Sequence, residues 1–387
     1  MKPATAPVEI AAYYFPNYHS DPRNEKRYGK GWTEWELIQH AGPRFPGHEQ
    51  PLVPSWGFED EADPKIMARK IDAAKDHGLD VFLFDWYHYE DGPFLEKALH
   101  EGFLKAGNRN RLKFALMWAN HDWVDIMPAK SSTNPLRDAT LLYPGAMSRE
   151  PFRKMTHMII ETYFKQPNYW LIDGCPYFSI YELARFISGV GGLDQAVEAL
   201  EEFRADVRKA GFTDLHLNAV YWQQAILPGE QALPADPSEI FRRLGFASFS
   251  SYVWIHHVGL SEFPVTAYDK VKELYFNYWS EVVKKIHLPY LPNITKGWDA
   301  SPRTVRSDVF RPLNYPFMAT MGGNTPEQFG AAMEEGLRRV ADQTGPVRAL
   351  TVNAWNEWTE GSYLEPDERH GMAYLEAISE ARKRVGV

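Results

Sequence analysis

Eight short apolar runs recur along the chain, and between them lie segments whose apolar residues fall at helical spacing. The runs are EIAAYYF (9–15), LDVFLFDWY (79–87), LKFALMWA (112–119), PYFSIY (176–181), LHLNAVYW (215–222), FASFSSYVW (246–254), YLPNI (290–294) and RALTVNAW (348–355). Each is continuous rather than alternating, as expected of strands covered on both faces in a parallel sheet. Parallel neighbours need a crossover between them, and the intervening segments read as its helices. DPKIMARKIDAAKDHG opens on Asp-Pro and closes on Gly; GGLDQAVEALEEFRADVRKAG, TPEQFGAAMEEGLRRVADQTG and GMAYLEAISEARKRVG repeat that layout. Eight such units in 387 residues, with no Pro/Ser-rich linker, predict one α/β domain over residues 1–387. The expected architecture is a (β/α)8 TIM barrel with long loops at its C-terminal face.

Loop lengths say which end of that barrel works. Residues 16–62, 119–148, 222–237 and 295–324 are long and irregular, and each begins where a strand ends. The helix-to-strand turns HGLD, AGFTD and TGPV are short. Active sites of such barrels are assembled at the strand C-termini, where the long segments lie.

Charge and cysteine content narrow the function classes. A net charge of −9, with no basic run longer than RKR, disfavours a nucleic-acid partner. No apolar stretch approaches the ~20 residues of a membrane span. MKPATAPVEI lacks the apolar core of a signal peptide, so a cytoplasmic location and no membrane partner are expected. The single Cys175 rules out an internal disulfide framework and a cysteine zinc site. In WIHH (254–257) adjacent histidines on a strand would point to opposite faces, and GGN (322–324) lacks the lysine of a phosphate loop. Neither a metal nor a cofactor is expected.

What the strand ends carry is aromatic and acidic. They present Tyr13 and Tyr14; Asp85, Trp86 and Tyr87; Trp118 and Asn120; Tyr181 and Glu182; Tyr221 and Trp222; Tyr252 and Trp254. Trp298 follows strand seven, and Trp355, Asn356 and Glu357 follow strand eight. Sugar C–H faces stack on rings while hydroxyls take hydrogen bonds from Asp, Glu and Asn, so the set predicts a site for an oligosaccharide or polysaccharide. Trp32, Glu34 and Trp35 in GKGWTEW, on the first long loop, suit a lid or substrate subsite.

The stretch WNEWTEGSYLEP (355–366) concentrates the chemistry. Glu357 and Glu360 are three apart, so a strand would splay them, whereas a helical turn would bring them to one side. Gly361 permits such a turn. Beside Trp355 and Trp358, one carboxyl can be held neutral and the other ionised, which is the division of labour that glycosidic cleavage requires. The two glutamates are the expected catalytic pair.

Taken together, these blocks resemble the WbsX-type proteins of bacterial polysaccharide gene clusters, themselves similar to glycoside hydrolase family 99, the endo-acting α-mannosidases and mannanases. AAYYFPNYHSDPRNEKRYGKGWTEWELIQHAGPRFPGHEQP, GLDVFLFDWY, FALMWANHDW, PYFSIY and WNEWTEGSYLEPD carry the match, in order from about residue 10 to 368. The resemblance implies a (β/α)8 fold, no metal and retaining cleavage of an α-glycosidic bond through a 1,2-anhydro sugar. By the same resemblance Glu357 would take the proton of the sugar's 2-hydroxyl, and Glu360 would protonate the leaving oxygen. His121 followed by Asp122 departs from the family's usual acidic residue after WAN. On sequence alone, a glycosyltransferase of polysaccharide assembly and a non-catalytic carbohydrate-binding barrel stay open. The first would need a nucleotide-sugar site, and the second has no need of both glutamates.

Overall fold

In a computed structural model of the chain, residues 7–132, 138–234 and 236–387 are described. Residues 1–6, 133–137 and 235 lie outside them, and with them part of the N-terminal segment and of two expected long loops. Parallel strands run around a closed circle. Glu9–Tyr14 pairs with Val81–Tyr89, followed by Lys113–Trp118, Cys175–Ile180, His216–Val220 and Ser248–Ser250. The seventh strand is split around Pro292. Its first piece, Tyr290–Leu291, pairs with the sixth strand, and its second, Asn293–Thr295, pairs with the eighth, Ala349–Asn353. The eighth returns to the first, with Glu9 opposite Ala349, and closes the (β/α)8 barrel.

Every expected strand forms, each within two residues of its expected start, but the sixth ends early. There FASFSSYVW contributes only Ser248–Ser250 to the sheet, and Trp254–His256 turns into a short 3-10 helix. The outer helices follow the expected patterns: Pro64–Asp76, Leu193–Lys209, Pro326–Ala341 and Ala373–Val385. Local chemistry explains two of their starts. Asp63 accepts a hydrogen bond from Lys65 N at 2.8 Å, and Thr325 caps Gln328 N, with proline in the first helical position each time.

Two-sided burial accounts for the continuous apolar runs. Phe82 and Phe84 face the outer layer and pack on Phe103, whereas the intervening positions face the barrel axis. Burying one such ring stabilises the fold by ~1.5–3 kcal/mol. The axis itself is partly polar: Asn218 donates to Ser179 Oγ at 2.9 Å and to Ser250 Oγ at 2.8 Å, and Asn293 donates to Thr351 Oγ1 at 3.1 Å. These buried groups are satisfied by one another, which is the condition for tolerating them there. Among the described residues no helix is long and apolar enough to cross a membrane.

Candidate active site

A cavity of about 710 Å³, counting the part open to solvent, sits at the C-terminal mouth of the barrel. The strand ends supply Asp85, Tyr87, Met117, Tyr181, Tyr252, Glu357 and Glu360 to its wall. Phe15 from the end of the first run adds to it, and the expected long loops supply His121 to Val124, Ile226 to Pro228, Trp298, Arg303 and Tyr315.

Glu357 and Glu360 reach this wall together because the chain leaves strand eight in a tight device. Asn356–Glu357 pairs antiparallel with Ser362–Tyr363, and Trp358–Glu360 between them is a 3-10 turn. Gly361 closes the turn at φ +66, where a side chain would be strained, and an added Cβ would lie 2.9 Å from Asp299 Cβ. Asn356 holds the hairpin to strand one: its Oδ1 accepts from Phe15 N at 2.8 Å and its Nδ2 donates to Phe15 O at 2.7 Å.

The two carboxyls have different surroundings. Arg303 Nη1 donates to Glu360 Oε1 at 2.5 Å, and Tyr315 OH donates to the same oxygen at 2.7 Å. Arg303 also grips buried Glu34 through Nε at 2.8 Å and Nη2 at 2.7 Å, and lies 3.5 Å from Glu357 Oε1. Burial raises the Glu360 carboxyl above its ordinary range, while the Arg303 charge and the Tyr315 hydroxyl pull it back. Glu357 is pushed well above that range by burial first and the neighbouring Glu360 charge second; Arg303 opposes both. Its direct partner is Tyr252 OH at 2.9 Å.

Tyr252 introduces a count of protons. Its hydroxyl also lies 2.8 Å from Asp85 Oδ2, yet it owns a single hydrogen. It can donate to one carboxylate only, so the other must be protonated and donate to it. Asp85 is buried, its Oδ1 has no hydrogen-bond partner, and burial pushes its carboxyl well up. A neutral Asp85 would aim the Tyr252 hydrogen at Glu357.

Seven of the sequence-predicted site residues line this cavity: Asp85, Tyr87, Tyr181, Tyr252, Trp298, Glu357 and Glu360. The others lie elsewhere. Tyr13 lies deeper in the barrel, donating to Ser251 O at 3.2 Å, and Tyr14 packs outward on Phe82 and Phe84. Trp86 meets Tyr163, Trp118 meets Phe152 and Phe186, Tyr221 meets Phe241, and Trp254 meets Tyr268 and Tyr275. All four point to the helix layer: Trp86, Trp118 and Tyr221 because neighbours along a strand face opposite sides, and Trp254 from the 3-10 helix after strand six. Trp222 backs the wall behind Tyr181, with ring centroids 4.6 Å apart. Asn120 is spent bracing Glu182, accepting from its N at 2.7 Å and donating to its O at 2.8 Å. Asn356, Trp355 and Trp358 shape the hairpin; Trp358 stacks on Tyr363 and donates to Glu365 at 2.7 Å, while Trp355 packs on Phe82. In the first long loop Trp35 packs on Trp358 and Tyr18, and Trp32 stacks on Tyr28.

The family model described as Glycosyltransferase WbsX matches residues 10–378. The chain belongs to this family. Among WbsX-like relatives, the uncharacterized protein WxcX of Xanthomonas campestris pv. campestris (strain B100) is 27% identical over 390 residues, covering 99% of this chain and 50% of the relative. WxcX of strain ATCC 33913 is also 27% identical, over 395 residues. The chain thus spans about half the length of the curated relatives it matches. In structure it is similar to the GH99 endo-alpha-mannosidase of Bacteroides thetaiotaomicron, with TM-score 0.59, 15% identity, and coverage of 98% and 97% of the two chains. A glycoside hydrolase-like protein gives TM-score 0.60 at 15% identity, covering 97% and 93%. At that identity the likeness establishes the WbsX barrel as a TIM fold shared with glycoside hydrolases.

Sequence reasoning missed Arg303 and Tyr315 altogether. SPRTVRSDVF and PLNYPF sit in an irregular segment with no periodicity to orient them. Glu34, expected in a lid or substrate subsite, is instead fully buried as the partner of Arg303.

Proposed function

We propose that this protein is a glycoside hydrolase cleaving α-glycosidic bonds of a bacterial or mannan-type polysaccharide, with Glu357 and Glu360 as its catalytic pair. One observation carries the reading: both carboxyls line a single aromatic-walled cavity, and each has its own set of partners. A pair this close titrates as a unit, and bond cleavage needs one proton between them. In the proposed order Glu357 accepts the proton of the sugar's 2-hydroxyl, that oxygen closes on the anomeric carbon, and Glu360 protonates the departing oxygen. Water activated by Glu360 then reopens the 1,2-anhydro ring with overall retention. The internal hydroxyl reacts at high effective concentration, so no protein nucleophile has to reach the anomeric carbon. Tyr181, Tyr252 and Trp298 supply rings against which a sugar can stack.

The partners of the two carboxyls favour the opposite placement of the proton, since Arg303 and Tyr315 both stabilise ionised Glu360. The proposed order therefore requires the proton to pass from Glu357 to Glu360 as substrate enters; exchanged roles are the second reading. Cleavage of a panel of α-linked glycans, with product configuration followed by NMR, tests the whole. Glu357→Gln and Glu360→Gln should each lower kcat/KM by about 10²–10⁴-fold. The variant lacking the acid should recover on substrates whose leaving group needs no protonation. A rate near wild type in either variant removes that carboxylate from the mechanism. The family's description as a glycosyltransferase supports transfer at the same pair, with a sugar hydroxyl replacing water. Thermal stabilisation by a nucleotide sugar but by no oligosaccharide would favour transfer.

A further inference from the structure

Behind Trp298 the barrel mouth opens into a second cleft of about 1390 Å³, counting its solvent-open part. Trp298 lines both hollows. Lys296, one residue beyond strand seven, belongs to the wall of this second cleft and is only 4% exposed. Its Nζ lies 3.7 Å from the ring centroid of Tyr363 and 4.4 Å from that of Tyr374. Among the described residues it makes neither an ion pair nor a hydrogen bond through that nitrogen. Its N–H donors, unused within the protein among the described residues, border the cleft, where a ligand can take them.

The carboxylates of the cleft are already committed. Asp367 accepts from Tyr363 OH at 2.7 Å and from the backbone N of Arg369 and His370 at 2.9 and 2.6 Å. Glu49 pairs with Arg369 at 2.7 Å, Glu262 with Lys270 at 2.7 Å, and Asp299 with His48 at 2.9 Å and Gln50 at 2.6 Å. Lys296 is the charge left without a direct counterpart. Asp367 and Glu49 act on it only through space, and burial lowers its pKa to about 8, which leaves it mostly cationic at neutral pH.

We propose that Lys296, held against the rings of Tyr363 and Tyr374, forms an oxyanion subsite that receives an acidic group of the glycan. The ligand class is a carboxylate- or phosphate-bearing saccharide. A carboxylate or phosphate oxygen would complete the unused donors of Lys296, which the two rings hold in place by cation–π contact. The glycan context rests on the carbohydrate reading above; affinity for the oxyanion does not.

Isothermal titration of the whole protein with D-glucuronate, methyl α-D-glucoside and inorganic phosphate tests this. Glucuronate should bind roughly tenfold or more tightly than the neutral glucoside, and Lys296→Met should abolish that preference. Phosphate binding above glucuronate assigns the subsite to phosphorylated sugars; the reverse assigns it to acidic sugars. If the variant fails to fold, the wild-type protein still decides: its glucuronate affinity should fall as pH rises through about 8, where Lys296 loses its charge. Equal affinity for glucuronate and glucoside, or an unchanged preference in folded Lys296→Met, overturns the proposal. Anion binding without cleavage of any glycan would sink the enzyme reading alone.

Discussion

Replacing Arg303 by methionine should be among the most damaging single changes in this protein. The guanidinium holds Glu34 with two donors and Glu360 with a third, and faces Glu357 at 3.5 Å, all in buried surroundings. Without it Glu34 keeps only the Asn17 amide, at 2.6 Å, and the Thr359 hydroxyl. Removing one member of a buried ion pair costs about 3–5 kcal/mol, because the remaining charge is stranded. Against a total stability of about 5–15 kcal/mol, that is about a fifth or more of the fold's margin. Adding Glu34→Gln removes the stranded charge and should return roughly 2 kcal/mol. Urea unfolding followed by tryptophan fluorescence reads both numbers, provided the slope with denaturant stays constant. Catalysis should suffer separately. Arg303 lowers the pKa of both glutamates, so its loss lets the pair hold a second proton, and the acidic limb of the rate profile moves to higher pH. A loss below about 1 kcal/mol, or no recovery with Glu34→Gln, would refute the idea that Arg303 neutralises buried carboxylates.

Other perturbations follow from the same geometry. Tyr252→Phe removes a hydrogen bond that lowers the Glu357 pKa, so the acidic limb of kcat/KM should again shift upward; an unmoved profile would show that the hydroxyl does not tune Glu357. Gly361→Ala places a Cβ at φ +66 and against Asp299, costing about 1–3 kcal/mol and displacing Glu360; full activity at full stability would contradict the described turn. Buried Glu182 and Glu230 have pKa values raised to about 8 and about 7, chiefly by burial. The unfolded chain releases these protons near ~4.3 and the fold keeps them longer, so this stabilisation is lost as pH rises through 7–8. Denaturation at pH 6 and pH 8.5 should show the decline, and Glu182→Gln should flatten it.

The amino-acid order alone determined the architecture and the turn that carries Glu357 and Glu360. Continuous apolar runs such as LKFALMWA are interpretable without tertiary information, because a strand covered on both sides cannot alternate. Asp-Pro and Thr-Pro starts marked two helices for equally local reasons. The spacing of Glu357 and Glu360, with Gly361 after them, was enough to expect a turn that brings both acids to one side. Which neighbour along a strand faces inward was not legible. Asp85 and Trp86, or Tyr13 and Tyr14, are equally polar-tipped or aromatic in sequence, yet the pleat sends one of each pair to the axis and the other to the helices. An alternating strand would have revealed that parity; a strand buried on both faces conceals it.

Arg303 was beyond reach for a different reason. Its partners Glu34 and Glu360 are 269 and 57 residues away in the chain, and nothing in its own irregular segment marks it as buried. Local sequence carries the propensity of each element and the chemistry of each side chain. The pairing of charges across the barrel mouth, and with it which glutamate holds the proton, exists only once the loops after strands one, seven and eight have packed together.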